Sequence, residues 1–300
     1  MAAKKKQSEL LIGAHMSIAG GFYKSIERSE TVGGTCMQIF TKSNKQWAAK
    51  HIDPKDAQAF KDRWANSSVG AVVAHASYLI NIGSAQAALR NKSQHALREE
   101  LERCALLGIP ALVLHPGAAV GSSEQECIEL ITESINKVFE EFDGPTMLLL
   151  ENTAGQGSAV GTTLEQLAAI YHGIHKKKHV GFCIDTCHAF AAGYDLRTQK
   201  TYDFFWKQFD ELIGIGKLKA IHCNDSKKEL GSKVDRHDDI GKGKLGIEAF
   251  ALLMNDERFF DVPKICETPK GDKEEVNDAH NISTLKELLT SANKKKLQNS

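Results

Sequence analysis

The sequence predicts an α/β protein folded as a (β/α)8 TIM barrel, on three observations. Short aliphatic runs alternate with longer amphipathic, charge-bearing stretches along all 300 residues, and eight such pairs in about 250–300 residues is what the barrel requires. The runs are apolar throughout, which fits strands buried on both faces of a parallel sheet covered by helices. Seven of the eight are closed by His, Asp or Glu, and the strand ends of a barrel converge on one mouth.

The first run, Leu10–Ala14, follows the Lys4–Lys6 triplet and ends at His15; Gly20-Gly21 opens the helical stretch behind it. Cys36–Phe40 is the second run, the one without a titratable end. Ala71–Ala74 ends at His75 and precedes the helical Ser93–Leu107; Ala111–Leu114 ends at His115 and precedes Glu124–Glu141. Thr146–Leu150 ends at Glu151 before Leu164–Ile174, and Val180–Ile184 at Asp185 before Tyr202–Ile213. Leu218–Ile221 ends at His222 before Ile247–Met254, and Pro263–Cys266 at Glu267 before Val276–Leu289. An open doubly wound sheet alternates in the same way, but neither a GxGxxG after the first run nor a P-loop is present. No linker or composition shift interrupts the chain. We expect one domain over 1–300, with 1–9 and 292–300 as flexible basic tails.

Composition excludes other classes. Hydrophobic residues at 42% and charged residues at 25% are globular values, against disorder and coiled coil. No apolar run reaches the roughly 18–20 residues of a membrane helix, so no membrane partner is expected. Lys+Arg and Asp+Glu both number 38, so any affinity for polyanions has to be local or come from bound ions. Seven scattered cysteines suit reduced thiols and a cytoplasmic setting, nucleoid-associated if the source is bacterial. The Lys triplets at 4–6, 176–178 and 294–296 read as solvated surface, and Gly241–Gly246 as a plain mobile loop.

One histidine at a strand end is usually a satisfied structural residue. Six or seven polar strand ends at one mouth are costly unless something compensates them together, and a shared metal centre does so. In Asp185-Thr186-Cys187-His188, i and i+3 share a face if the chain turns helical. In Asp235-Arg236-His237, i and i+2 of an extended segment point the same way. The candidate ligands are therefore His75, His115, Glu151, Asp185, His188, His222, Asp235, His237 and Glu267. Five imidazoles with four carboxylates suit Zn²⁺, Mn²⁺ or Fe²⁺, and nine side chains call for two or three ions with bridging carboxylates. Cys183 and Cys187 flank Asp185, and Cys223 and Cys266 adjoin His222 and Glu267. Strand neighbours of an inward ligand face outward, so these thiols are expected under the helices. His51, His95, His172, His175 and His179 read as surface; His15 lines the site or supports it.

Such a cluster suits hydrolysis, since paired ions stabilise attacking and leaving oxygens at phosphorus. Three divalent ions outweigh four carboxylates and favour an anionic substrate such as a phosphodiester. The loops after the second and third runs add Lys45, Gln46 and Trp47, and Tyr78 with Leu79. Basic, amide and aromatic groups together suit a surface that grips phosphates and fills gaps in a base stack; Trp47 fits a packed position equally well. A sugar isomerase of related architecture would use fewer metals and leave Asp235 and His237 without a role. A non-enzymatic binding barrel would leave open coordination positions unused.

The motifs HxSYLIN (His75 to Asn81), LHPG (Leu114 to Gly117), ENTAGQG (Glu151 to Gly157), IDTCHAFAAGYDL (Ile184 to Leu196), HxNDSK (His222 to Lys227) and VDRHxxIGxG (Val234 to Gly243) closely resemble the endonuclease IV family. The resemblance runs from about Gly13 to Glu267. It implies a monomeric apurinic/apyrimidinic (AP) endonuclease of base excision repair, a hydrolase with three Zn²⁺ ions, for which Mn²⁺ can substitute. Its partner would be double-stranded DNA with abasic sites or blocked 3′ ends. Cleavage 5′ to the abasic site, by hydroxide generated at the metals, leaves a 3′-OH and a 5′-deoxyribose phosphate. Carried onto this chain, the pattern puts one zinc on His75, His115 and Glu151, a second on Glu151, Asp185, His222 and Glu267, and a third on His188, Asp235 and His237. Glu151 would bridge, and Glu267 would also orient the attacking group. Lys45, Gln46, Tyr78 and Leu79 match positions that enter the duplex at the lesion; family members often carry Arg where this chain has Lys45, and the two are not equivalent wedges.

Overall fold

The computed structural model describes residues 10–271 and 274–299. Its first half runs β1 (Ile12–His15), α1 (Phe22–Thr31), β2 (Cys36–Phe40), α2 (Pro54–Ala65), β3 (Ala71–His75), α3 (Ala87–Leu107), β4 (Ala111–Leu114), β5 (Gly117–Ala118), α4 (Glu124–Glu141), β6 (Met147–Glu151), β7 (Ala159–Val160) and α5 (Leu164–Gly173). Then follow β8 (Val180–Asp185), α6 (Thr186–Ala192), α7 (Gln199–Leu212), β9 (Leu218–His222), β10 (Asp225–Ser226), β11 (His237–Asp238), α8 (Ile247–Met254), β12 (Lys264–Cys266), α9 (Glu274–Glu287) and α10 (Ser291–Asn299).

Eight parallel strands close in the order β1-β12-β9-β8-β6-β4-β3-β2, the expected barrel. Closure brings chain neighbours very near: a Cβ at Gly13 would lie 1.7 Å from the carbonyl oxygen of Cys36, so only glycine fits in β1 there. Inside the barrel, Cys36, Val73, Val113, Leu149, Cys183, Ala220 and Ile265 form one buried cluster. Most sit two residues before a strand-end polar group, and residues two apart in a strand share a face. The apolar plug therefore turns the next inward residue of each strand into the lining of the mouth. This relocates Cys183, which lies inside the barrel with the plug instead of under the helices. Cys223 and Cys266 belong to the outer core as expected, and all seven thiols are free and buried.

The helices begin where side chains cap them. Asp53 accepts from the Lys55 N–H ahead of Pro54, Ser123 caps α4, and Thr163 with Gln166 forms a capping box on α5, each satisfying backbone donors that a helix start leaves bare. Two short antiparallel pairs, β5 with β7 and β10 with β11, project from the barrel. The Gly241–Gly246 segment is an anchored loop instead of a mobile one. Buried Asp225 accepts from the backbone N–H groups of Gly243, Leu245 and Gly246 at 3.0–3.3 Å.

At the C-terminus, residues 292–299 form most of α10 instead of a tail; Asn293 is buried against Asn255, and Leu297 packs on the core. The expected tail 1–9 lies outside the described residues. Among the described residues no helix is long and apolar enough to cross a membrane.

Candidate metal centre

The nine side chains singled out by their strand ends and spacing meet at the C-terminal mouth. His75, Glu151, Asp185 and His222 terminate β3, β6, β8 and β9, while His115 and Glu267 follow β4 and β12 by one residue. His188 stands one turn into α6, whose first turn Asp185 caps by accepting from the His188 N–H at 2.8 Å. Asp235 and His237 arrive on the β10–β11 hairpin, where His237 pairs with Ser226. Ligand atoms of His75, His115 and Glu151 lie within 4.8 Å of one another, as do those of Glu151, Asp185, His222 and Glu267. Asp235 reaches His188 Nε2 with Oδ2 and His237 Nε2 with Oδ1, both at 3.2 Å.

Glu151 is the hub. Its Oε2 is 3.1 Å from both His75 Nε2 and His115 Nε2, and its Oε1 is 3.0 Å from His222 Nδ1 and 3.3 Å from His188 Nδ1. The carboxylate is fully buried. Burial alone would raise its pKa, but the imidazoles of His222 and His115 hold it well below the usual range. Asp235 is likewise held down against burial by His188 and His237. Burial lowers the His237 imidazole, yet Asp185 and Asp235 outweigh it and carry the ring up to about 9.

Hydrogen bonds decide which nitrogen of several rings faces inward. Nδ1 of His75 donates to Ala76 O at 2.7 Å, and Nδ1 of His237 to Glu267 O at 3.0 Å. Nδ1 of His188 donates to Asn152 O at 3.0 Å, and Nε2 of His222 to Gln38 Oε1 at 2.8 Å. A carbonyl oxygen only accepts, so these nitrogens carry the protons. The other nitrogen of each ring is aimed at carboxylates. Lone pairs and carboxylates so close repel unless a proton or a cation lies between them. His237 Nε2 is buried and poorly aligned for a hydrogen bond, with Asp235 Oδ1 at 3.2 Å and Asp185 Oδ2 at 3.7 Å around it. Outer nitrogens anchored and inner ones bare is the pattern of metal-ligating histidine, and the donor set fits divalent transition metals.

Asparagines that the motifs contain but the spacing does not single out hold the ligands. Asn152 Oδ1 accepts from the Asp185 N–H at 2.7 Å. Asn224 Nδ2 donates to Asp185 Oδ2 at 2.6 Å, and its Oδ1 accepts from the Glu267 N–H at 2.7 Å. Gln38 donates from Nε2 to Glu267 Oε1 at 2.6 Å. Its signal in the sequence is an amide inside an otherwise apolar run, which demands partners. His15 supports the site: its Nδ1 accepts from Gln38 Nε2 at 3.0 Å. Cys187 lies on α6, outside the reach of a strand-alternation argument, and its Sγ comes within 4.8 Å of Asp235 and His237 ligand atoms. Burial, with the Asp185 and Asp235 carboxylates acting in the same direction, pushes its thiol up to about 12 and keeps the sulfur protonated.

A cleft of about 400 Å³ adjoins the cluster, lined by Tyr78, His115, Thr153, His188, Asp235 and Arg236. Tyr78 is 59% exposed above His75 and His115; Leu79 beside it is half-buried. Lys45 and Gln46 are exposed, whereas Trp47 is half-buried and packed on the core with the Lys92 ammonium 4.4 Å from its ring centre. Of the histidines read as surface, His51, His95, His172 and His175 are exposed and His179 is half-buried beside Phe139.

Comparison with known proteins fits this geometry. Residues 26–289 match the family model of the xylose isomerase-like TIM barrel. The chain is 47% identical over 281 residues to a probable endonuclease 4 of Chloroflexus aurantiacus, covering 93% of this chain and 98% of that one. It superposes on the crystal structure of endonuclease IV from Thermus thermophilus with a TM-score of 0.81 and 33% identity, over 93% of this chain and 100% of that one. A D-tagatose 3-epimerase-like protein has the same fold at a TM-score of 0.73 and 22% identity, over 96% of this chain and 100% of that one. With its metal-ligand constellation at the barrel mouth and a near full-length relative at 47% identity, the chain belongs to the endonuclease IV family.

Proposed function

We propose that this protein is a zinc-dependent AP endonuclease of base excision repair, which hydrolyses the phosphodiester 5′ to an abasic site and removes blocked 3′ ends. The observation that carries the reading is the hub at Glu151, one buried carboxylate facing four imidazole rings, within a family whose named members are endonucleases. His75, His115 and Glu151 would hold one zinc, Glu151, Asp185, His222 and Glu267 a second, and His188, Asp235 and His237 a third, with manganese as a substitute. Bound ions of this kind acidify water and stabilise charge building on phosphorus and on the leaving oxygen.

The chain's own groups do the rest. Glu151 shares its two oxygens between neighbouring sites. Glu267, fixed by Gln38 at one oxygen and by Asn224 at its backbone N–H, orients the attacking water for in-line displacement. Lys45, Gln46 and Trp47 contact the duplex on one side, while Tyr78 and Leu79 fill the gap beside the lesion. An abasic sugar is inexpensive to extrude because no base is unpaired there. The chain acts as a monomer on double-stranded DNA, in the cytoplasm.

A duplex carrying one tetrahydrofuran abasic analogue tests the proposal. The analogue cannot undergo β-elimination, so a nick must be hydrolytic. The expected result is cleavage immediately 5′ to the analogue, lost on chelation and restored by Zn²⁺ or Mn²⁺. Well-folded, metal-loaded protein that leaves the duplex intact would overturn it.

A further inference from the structure

Gln38 occupies the middle of β2, fully buried, the one polar side chain in the run Cys36–Phe40. A buried amide is costly unless every polar atom is satisfied, and a Leu or Met would fill the same volume without that demand. What the amide touches explains why it is there. Its nitrogen lies 2.6 Å from Glu267 Oε1 and 3.0 Å from His15 Nδ1; its oxygen lies 2.8 Å from His222 Nε2. Three contacts go to three groups of the mouth, from three different strand ends.

The assignment of these atoms is forced. A carboxylate only accepts, so the atom next to Glu267 is the NH₂ group. The carbonyl oxygen therefore faces His222 Nε2, which must carry the hydrogen. His222 is then left with Nδ1 as its donor atom, 3.0 Å from Glu151 Oε1 and 3.1 Å from Glu267 Oε2. The same amide occupies Glu267 Oε1 and leaves Oε2 beside that nitrogen.

We propose that Gln38 is a positioning residue for the second metal site: it selects the His222 nitrogen and the Glu267 oxygen that the ion receives. The inference rests on the zinc reading above. The rings of His75, His188 and His237 take their orientation from main-chain carbonyls, which substitution cannot remove; His222 takes it from a side chain, which makes this site adjustable from a strand that supplies no ligand. Loss of such an outer partner typically costs 10–100-fold in metal affinity.

The test uses full-length, zinc-loaded wild type and Gln38→Met, dialysed against graded chelator, with zinc per chain measured by elemental mass spectrometry. The variant is expected to lose one equivalent at about 10–100-fold lower chelator than wild type, with the remaining zinc released as in wild type. Turnover on abasic duplex should fall with KM unchanged, because Gln38 cannot reach DNA. Coincident release curves would overturn the inference and leave the zinc reading standing. Wild type that retains no zinc would overturn both, and that control separates the two failures. If Gln38→Met does not fold, ¹⁵N-histidine spectra of zinc-loaded wild type decide: the inference requires a proton on His222 Nε2, and a proton on Nδ1 refutes it.

Discussion

Lys42 and Glu100 face each other 3.6 Å apart, both buried, beneath the two loops that flank the mouth. Lys42 Nζ also donates to Trp47 O at 2.8 Å, and Glu100 Oε1 accepts from the Ser77 N–H at 3.1 Å. Ser77 Oγ in turn donates to Asn44 O at 2.8 Å. The pair therefore ties the loop of Lys45 and Gln46 to the loop of Tyr78 and Leu79. Removing one partner strands the other charge. Lys42→Met is expected to cost about 3–5 kcal/mol of stability, and Lys42→Met with Glu100→Gln to cost less than Lys42→Met alone. Urea denaturation of the single and double variants checks this; strictly additive losses would show that the two residues do not act as a unit.

Glu151→Gln keeps the shape of the hub but removes its charge. Zinc content should drop and turnover on abasic duplex should fall about 10³-fold, the several kcal/mol that metal-ion catalysis supplies. Circular dichroism of the metal-free variant should match wild type. Undiminished turnover with a full metal complement would refute the bridging role.

Asp225 holds the loop that returns to α8 and adjoins the hairpin bearing His237. Its carboxylate also accepts from the Ser226 N–H at 2.7 Å, so Asp225→Ala leaves four backbone donors unsatisfied. We expect a loss of about 2–4 kcal/mol and proteolytic cutting within 239–246. Asp225→Asn, which keeps one acceptor oxygen, should fall between. Resistance of the alanine variant to proteolysis would show that the loop is held elsewhere.

The buried ionisable side chains around the barrel wall predict an alkaline signature. Lys264 is buried and donates to the carbonyls of Phe259 and Val262, and burial lowers its pKa from 10.5 to about 8. Below pH 8 both folded and unfolded chains carry the proton. Above it the unfolded chain holds more at this site, so Lys264 by itself contributes a rise of about 1 kcal/mol between pH 8 and 9. The buried thiols have the opposite sign: burial pushes Cys36, Cys183, Cys187 and Cys223 from 9.0 up to about 12, so as the pH approaches and passes 9 the unfolded chain loses these protons first and stability falls. With several buried thiols acting against one lysine, denaturation midpoints of wild type should fall from pH 8 upward. Lys264→Met should steepen the fall between pH 8 and 9 by about 1 kcal/mol; an unchanged slope would show that Lys264 does not lose its proton in that range.

Much of this is legible in the sequence because a barrel strand buried on both faces leaves an unbroken apolar run, and its end is marked by the first polar residue. His75, Glu151, Asp185 and His222 can be read off in that way, and the runs match the observed strands to within a residue or two. The α2 helix is absent from the sequence reading, although Asp53-Pro54 is a cap followed by the residue best tolerated at the first helical position. The two-residue pairs β5–β7 and β10–β11 are invisible there, since they exist only through tertiary contact. Asn152 and Asn224 lie within recognised motifs, but their role is to hold ligands contributed by other strands, and no local pattern encodes that. Cys183 is misplaced when alternation is counted from neighbours, whereas it stands two residues from Asp185 and so shares its face.

The burial of all seven thiols also makes the protein a recorder of its own breathing. In the folded chain a water-borne thiol reagent meets no sulfur, so each labelling event reports an opening. Cys36 and Cys183 sit in the barrel plug, while Cys104 on α3 and Cys127 on α4 lie in the outer layer. The order in which these sulfurs are tagged therefore separates a helix lifting from the wall from the rupture of the wall itself.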